Sequence, residues 1–308
     1  MQGRMVVRSR LAAKRGLHAV LLSILLFTGR SAAFPMVVQP GDTLAGLAER
    51  IYGRVQNEGL LVAANGLDAS GGIAIAPGMR IEVPAVSYRR VAPGDTWPAL
   101  ATELLGAPQR SAVLAFANDS KPWLLPTENA EILVPYNLRF VAEGTSSLVD
   151  VAERFLGSQK RTWMLAEYNG LKEALLDPGQ VILVPLTELG LTEAGREAAR
   201  RAATAWSGVG GEARAEQAGA ARALPALLAD ARAGRYVEVV ARGVGLLDGS
   251  DLTTVQRASV HRQLLEAYVA LGANGRAAAA CREWQRAAPR ARLDPARLSP
   301  KLIAACRR

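Results

Sequence analysis

Residues 37–186 switch repeatedly between two hydrophobic periods, which predicts short strands alternating with helices. Residues 37–38 are β-branched and stop at a Pro-Gly pair, as a strand that ends in a tight turn does. Apolar residues then recur at steps of three and four along 44–51, so this segment is predicted to be a helix with one buried face. Asp42 or Thr43 offers the side-chain oxygen that caps the first turn of such a helix.

A second helix and a closing strand complete this unit. Residues 58–64 fit a helix that stops at Asn65 and Gly66, because both residue types tolerate the left-handed conformation found at helix ends. Residues 79–83 alternate apolar and polar side chains and end at Pro84, which predicts a strand. The unit is therefore a strand, two helices and a strand.

A unit of about fifty residues occurs three times along the chain. Its landmarks are Gly41-Asp42-Thr43, Gly94-Asp95-Thr96 and Gly144-Thr145-Ser146 at the first turn, then Asn65, Asn118 and Asn169, and finally Pro84, Pro135 and Pro185. Six residues before each closing proline stands Gly78, Asn129 or Gly179. Glycine, and asparagine next, accept a positive φ at low cost, so we predict the same turn geometry in all three copies.

The repeated pattern resembles the LysM family, which combines a strand, a GDTL turn, two helices, an Asn-Gly pair and a PGxxIxVP strand. Copy one matches nearly throughout, and copy three keeps NGL at 169–171 and DPGQVILVP at 177–185. Copy two has Trp97 where leucine is usual and lacks the second Pro-Gly pair, while copy three has one extra residue at its first turn. The resemblance covers about half of the chain. It implies an α+β fold with three βααβ LysM-like units in tandem, which an all-α domain of helical hairpins follows.

In the LysM family, glycans that contain N-acetylglucosamine, such as peptidoglycan or chitin, lie in a shallow groove between the first turn and the turn before the last strand. The resemblance therefore implies these glycan-binding residues: Gly41, Asp42, Thr43, Leu44, Ile75, Ala76, Pro77, Gly78, Asp95, Thr96, Trp97, Gly144, Thr145, Ser146, Leu176, Asp177, Pro178 and Gly179. Helix capping alone would also select Asp42, Thr43 and Asp95. Trp97 serves either as a stacking surface for a sugar, together with Trp123, or as core.

After residue 185 the composition shifts to alanine, arginine and leucine, and the strand signals stop. Thr192 is predicted to cap a helix that runs to about residue 206, and residues 207–219 are interpreted as a linker or a poorly packed helix. Two helical hairpins then break at Gly234 and at 272–275, and a short helix follows at 299–306.

The second hairpin resembles a tetratricopeptide repeat, which implies a surface for another protein. The residues that carry this resemblance are Tyr268, Leu271, Gly272, Ala277 and Pro289. Trp284 departs from it, because that family prefers a small residue there.

We therefore predict six segments along the chain. They are a signal peptide at 1–33, LysM-like repeats at 36–85, 87–136 and 138–186, a helix and linker at 187–221, and tetratricopeptide-like hairpins at 222–308. The signal peptide is indicated by a basic start, an apolar core at 17–27 and small residues at 31–33. Its removal predicts an exported protein of the periplasm or cell envelope that does not enter the membrane; the alternative is an uncleaved anchor.

The net charge of +9 overstates the basic character of the folded part. Six basic residues and no acids lie in the predicted leader, and subtracting them leaves +3. Residues 34–186 carry −4 and residues 187–308 carry +7. Nucleic acid is therefore not expected as a partner, and we interpret the arginines of the tail as a solvated face.

The chemistry available after the leader is limited. His261 is the one histidine left, and no phosphate-binding loop, nucleophile elbow or HExxH motif occurs, so we predict no catalytic residue, metal or cofactor. Cys281 and Cys306 form either a disulfide or two buried thiols.

These observations favour a non-enzymatic protein that binds peptidoglycan or a related N-acetylglucosamine polymer and holds an envelope protein through residues 222–308. One alternative is a cell-wall hydrolase whose catalytic part lies in the tail. The other is a scaffold of an envelope machinery whose repeats do not bind glycan.

Overall fold

The computed structural model describes residues 33–67, 75–144, 146–202, 210–249, 251–295 and 298–307. The predicted signal peptide lies outside these residues except for Ala33. The described part of the chain contains three two-stranded antiparallel sheets and twelve α-helices, so small sheets are combined with a large helical content.

Each sheet pairs two strands that enclose two helices, and we name the three sets unit 1 (33–84), unit 2 (87–134) and unit 3 (136–186). Unit 1 holds β1 (Ala33–Val37), α1 (Leu44–Tyr52), α2 (Glu58–Asn65) and β2 (Arg80–Pro84). Unit 2 holds β3 (Ser87–Arg90), α3 (Trp97–Leu105), α4 (Ser111–Phe116) and β4 (Glu131–Val134). Unit 3 holds β5 (Tyr136–Val141), α5 (Leu148–Leu156), α6 (Thr162–Asn169) and β6 (Val181–Leu186).

Strand β1 is longer than the predicted 37–38 and begins at Ala33. Phe34 pairs with Val83 across the ladder, and its side chain is fully buried. Burial of such a side chain contributes about 2 kcal/mol, which explains why the strand extends back to the end of the predicted leader.

The asparagine that ends the second helix of each unit joins that helix to the closing strand. In unit 3 the Asn169 side chain donates to Leu165 O and to Leu183 O, both at 2.9 Å, and accepts from Leu183 N–H at 2.8 Å. Asn65 and Asn118 make the corresponding three bonds in units 1 and 2. One side chain therefore satisfies a helix carbonyl and both backbone groups of a strand residue, which explains why asparagine recurs.

Units 1 and 3 share one hydrophobic core, whereas unit 2 is built around its own. Helix α2 packs on strand β5, so Leu61 and Leu138 belong to the same buried cluster. Trp97 and Leu114 lie in the core of unit 2, and Tyr168 of unit 3 packs against them. The three units are therefore packed against one another.

The tail is helical throughout its described part. Its helices are α7 (Glu193–Ala202), α8 (Glu212–Arg232), α9 (Tyr236–Asp248), α10 (Thr254–Ala270), α11 (Asn274–Ala287) and α12 (Pro300–Cys306). Thr192 caps α7 as predicted, because its Oγ1 accepts from Gly195 N–H at 3.1 Å. The hairpin breaks fall at Gly234 and Gly272, where φ is 70° and 71°. Helices α8 to α12 bury a third core of their own.

Helix α8 corrects the prediction made for residues 207–219. From Glu212 onward this segment is a packed helix and neither a linker nor a poorly packed one. Ala213 and Gln217 are buried because α8 lies against unit 2. Tertiary contact of this kind decides the structure where the local sequence is ambiguous. The preceding residues 203–209 lie outside the described part.

Cys281 of α11 and Cys306 of α12 are joined by a disulfide, with their Cα atoms 5.4 Å apart. Of the two alternatives that the sequence leaves open, the structure holds the bonded one. The cross-link spans 25 residues. A loop of this length corresponds to roughly 3–4 kcal/mol in the chain-entropy account, so it fastens α12 to the hairpin.

Replacing Gly195 by alanine is expected to weaken the contact between α7 and unit 1. A Cβ atom there would lie 2.6 Å from Ile51 O, a backbone atom that cannot rotate away. We expect the free energy of unfolding to fall by about 1–3 kcal/mol, as at other overpacked sites, and urea unfolding measures it. Gly219→Ala is the matched control, because the nearest atom to its Cβ lies 4.0 Å away at the end of an arginine. Equal loss in both variants would contradict the prediction.

Candidate functional site

Two turns lie side by side at one end of each sheet. In unit 1, Val38 N–H donates to Met79 O at 2.9 Å, and Val38 O accepts from Gly78 N–H at 2.8 Å. The same pair of bonds joins Val91 to Ala130 and Asn129 in unit 2, and Ala142 to Gln180 and Gly179 in unit 3. The residue after the first strand thus ties the second turn to the first, so the two segments that the sequence predicts to face each other are neighbours.

The second turn has one geometry in all three units, which confirms the prediction. Gly78, Asn129 and Gly179 have φ values of 87°, 62° and 82°. Because these values lie in the left-handed region, a side chain other than asparagine would be strained there.

The aspartates of the first turn hold that turn closed. Asp42 accepts from Gln39 N–H at 2.9 Å, and Asp95 accepts from Ala92 N–H at 2.8 Å. Asp42 also accepts from Arg50 at 2.9 Å, and this hydrogen-bonded ion pair lowers the pKa of the Asp42 carboxyl group. Both carboxylates therefore have partners within the protein, as expected of structural turn residues.

A hydroxyl residue caps the first helix of each unit. Thr43 Oγ1 accepts from Gly46 N–H at 3.0 Å, and Thr96 Oγ1 accepts from Ala99 N–H at 3.3 Å. Thr43 and Thr96, which the resemblance assigns to glycan binding, thus have a structural role as helix caps.

The extra residue of unit 3 shifts the register of its first turn by one. Ser147 caps α5, because its Oγ accepts from Asp150 N–H at 3.2 Å. Ser146 occupies the place of Thr43 when the three repeated units are aligned. Its hydroxyl group instead donates to Glu143 O at 2.6 Å. Thr145 lies outside the described residues. Sequence reasoning misses Ser147, although a serine directly before the apolar start of a helix is the expected cap.

Three of the predicted glycan-binding side chains belong to the core. Leu44, Trp97 and Leu176 are 3 %, 2 % and 5 % exposed. The larger indole of Trp97 fills the place in unit 2 that leucine fills in unit 1, so it does not offer a face to a sugar. Its Nε1 is buried without a hydrogen-bond partner among the described residues. Trp123 is 75 % exposed, but because Trp97 is buried the two indoles do not form a joint stacking surface.

The exposed predicted residues lie mainly on the two turns. They are Gly41, Thr43, Ala76, Pro77, Gly78, Gly144, Asp177, Pro178 and Gly179, whereas Asp42, Ile75, Asp95, Thr96 and Ser146 are half-buried. The surface is therefore made largely of backbone and small side chains. Such a surface offers peptide N–H and C=O groups, which suit an amide-bearing and uncharged sugar better than an ion.

Leu175 stands out at the same place and is missed by the sequence reasoning. Leu148 N–H donates to Ala174 O at 2.7 Å, and Leu176 N–H donates to Ser146 O at 3.0 Å, so this segment runs beside the first turn. Side chains alternate along such a segment, so Leu176 faces the core and Leu175 faces solvent. Leu175 is 75 % exposed. The sequence does contain a signal for this residue, because Leu175 directly precedes Leu176 and two neighbouring side chains of an extended segment cannot both face the core.

Unit 2 differs because the helical tail lies on its second turn. The Asn129 amide donates to Leu252 O at 2.8 Å, and Thr254 N–H donates to Glu128 O at 3.3 Å. The segment between α9 and α10 therefore occupies the groups that would face a ligand in this unit.

Helix α8 binds the adjoining strand. Glu131 of β4 accepts from Gly211 N–H and Arg214 N–H, both at 2.9 Å. A carboxylate of unit 2 therefore caps the first turn of α8. The Gln217 side chain accepts from Glu131 N–H at 3.0 Å and donates to Asn129 O at 2.9 Å. Unit 2 and the tail are thus joined by several directed hydrogen bonds.

Within the described ranges, no group of three or more His, Cys, Asp or Glu residues is placed to hold a metal ion. None of the helices in the same ranges combines the length and the hydrophobicity that a membrane span requires.

Comparison with known proteins agrees with part of this picture. Residues 36–84 and 146–185, which make up most of units 1 and 3, match the family model of the LysM domain. LysM domains generally bind glycans that contain N-acetylglucosamine and are typical of extracellular or cell-wall proteins.

Two curated relatives are named as esterases. They come from Mycobacterium tuberculosis, strain CDC 1551 / Oshkosh and strain H37Rv, and each is 27 % identical to the chain over 148 residues. The match covers 48 % of this chain and 32 % of each esterase, so the chain spans only about a third of the length of these relatives.

Proposed function

We propose that this chain is an exported, non-catalytic protein that binds peptidoglycan or a related N-acetylglucosamine polymer through units 1 and 3. One observation carries the proposal: the two stretches that match the LysM domain belong to the two units whose second turn makes no hydrogen bond to the tail among the described residues. In unit 2 the tail makes hydrogen bonds to that turn, at the Asn129 amide and at Glu128 O.

The binding mode follows from the exposed surface of the two turns. In unit 1, peptide groups around Gly41 and Gly78 hold an acetamido group. In unit 3, peptide groups around Gly144 and Gly179 do the same, and the exposed Leu175 contacts the methyl of that group or the sugar ring. A groove of this size binds weakly by itself. Since units 1 and 3 share a core, their two grooves are held at a fixed separation, and a polymer that reaches both gains affinity through effective concentration.

Unit 2 acts in this proposal as an adaptor that holds the tail. Residues 222–308 of the tail bind a protein of the cell envelope. Neither nucleic acid nor membrane is a partner after removal of the leader. The tetratricopeptide resemblance of the second hairpin supports this assignment, and the solvent-exposed surface of the tail supplies the room for a partner.

The relatives named as esterases supply the specific reason to keep a second candidate, a cell-wall hydrolase. Ester or glycosidic cleavage needs a positioned nucleophile or a pair of carboxylates. His261 lies in α10 of the tail and not in unit 1 or unit 3, which carry the proposed grooves. Burial lowers the pKa of its imidazole. The two candidates differ in whether the bound polymer is altered.

Co-sedimentation tests the proposed function. Residues 34–308 are mixed with purified peptidoglycan sacculi, and the protein is expected in the pellet, with no soluble sugar or acid released. Folded protein that stays in the supernatant, as judged by circular dichroism, would overturn the glycan assignment. Release of soluble fragments or acetate during the assay would support the hydrolase instead.

Leu175→Ser is expected to lower the affinity for a soluble N-acetylglucosamine hexamer by about tenfold, because it removes roughly 1.4 kcal/mol of apolar contact from unit 3. Isothermal titration calorimetry measures the change. Leu271→Ser is the matched control, since Leu271 is 48 % exposed but lies in the tail. An unchanged affinity in the first variant would remove Leu175 from the site.

A further inference from the structure

Basic residues are concentrated at the end of the chain. Residues 252–308 contain 11 Lys and Arg and 3 Asp and Glu, which gives +8, so residues 34–251 carry −5. Ten of the 11 cations are arginines. Arginine presents a planar fork of N–H donors that matches a carboxylate in two places, so this end is suited to acidic groups.

Part of this charge surrounds a cavity. Residues of α10, α11 and the loop after α11 enclose about 480 Å³, and we call this cavity the Trp284 pocket. Its lining residues are Arg262, Trp284, Arg290, Ala291, Arg292, Asp294 and Leu298. The pocket therefore combines three guanidinium groups and one carboxylate with an apolar wall.

The arginines of the pocket differ in what they already bind. Arg262 pairs with Glu266 at 3.1 Å, and its guanidinium lies 5.6 Å from the centroid of the Trp284 ring. Arg290 and Arg292 are exposed, and no carboxylate pairs with them within the described part of the chain. Two guanidinium groups thus remain to bind an anion beside a half-buried indole.

We propose that the Trp284 pocket docks an acidic segment of a partner protein, whose carboxylates pair with Arg290 and Arg292 while a neighbouring apolar side chain packs on Trp284. The proposal rests on the proposed function, because it names the partner class of the tail. A concave pocket with an aromatic wall favours a peptide over a flat anionic membrane, which would engage exposed cations on every side of the tail alike.

The test uses residues 34–308 and a fluorescein-labelled octaglutamate peptide, with binding followed by fluorescence anisotropy at low salt. The double variant Arg290→Gln/Arg292→Gln is expected to lose at least about tenfold in affinity, as when charge-assisted hydrogen bonds are removed. The matched control is Arg282→Gln/Arg307→Gln, which removes the same charge from exposed positions outside the pocket. The control is expected to lose less than about twofold, by general screening alone.

Each other outcome counts against the proposal. Equal losses in the two double variants would show that net charge and not the pocket binds the peptide. Absence of binding by the unaltered protein would also overturn it, as would tighter binding of phosphatidylglycerol vesicles or inorganic pyrophosphate than of the peptide. Sedimentation of Arg290→Gln/Arg292→Gln with sacculi is expected to be unchanged, so failure here is distinguishable from failure of the glycan assignment.

Discussion

Replacing Asn169 by leucine is expected to lower the free energy of unfolding by about 3 kcal/mol, because three hydrogen bonds of about 1 kcal/mol each are lost together. The leucine side chain neither donates to Leu165 O nor satisfies the backbone of Leu183, both of which Asn169 contacts within 3 Å. Two backbone groups next to the shared core of units 1 and 3 then lack a partner. Thermal and urea unfolding of residues 34–308 measure the loss.

Asn57→Leu is the matched control for this variant. It makes the same chemical change at a partly exposed position of unit 1 where the asparagine side chain does not cap the helix that follows. We expect it to change the free energy of unfolding by less than about 0.5 kcal/mol, as at other surface sites. A loss of equal size in the two variants would show that the three bonds of Asn169 do not stabilise the unit.

Features fixed by short-range backbone geometry could be predicted from the sequence. The positive φ of Asn129 followed from its place six residues before Pro135, and the cap at Thr192 followed from the apolar pattern after it. Such features depend on a few neighbouring residues, so the residue type reveals them.

Features that depend on packing between distant segments could not be predicted in the same way. Glu131 caps a helix whose first residues lie 80 and 83 positions further along the chain. The helical state of residues 212–219 and the burial of Ala213 and Gln217 follow from that contact, and the hydrogen bonds between the tail and the second turn of unit 2 depend on it too. The sequence resemblance selects Leu176 as a site residue, but this side chain is buried and its neighbour Leu175 is exposed, which is decided by the register of the segment against the first turn.

One position of the second turn is equivalent in the three units. A substitution there can therefore inactivate the proposed groove of one unit at a time. Ala76, Thr127 and Asp177 each accept the backbone hydrogen bond that closes the turn, and all three side chains are exposed. An isoleucine at such a position keeps the backbone bond and adds bulk toward solvent. It brings neither charge nor an aromatic face that could substitute for a lost sugar contact.

Ala76→Ile and Asp177→Ile are each expected to lower the apparent affinity for sacculi by about 100-fold, because loss of one groove converts two-point binding into one-point binding. Thr127→Ile is expected to leave the affinity within about twofold, because Leu252 and Thr254 of the tail already hydrogen-bond two groups of the second turn of unit 2, which are then not available to a glycan. Sedimentation isotherms with purified sacculi measure the three affinities, and circular dichroism checks the folds. If Thr127→Ile weakens binding as much as the others, unit 2 is a third glycan module and not an adaptor. If all three variants bind as tightly as the unaltered chain, the polymer contacts another surface, and the turns serve only the fold.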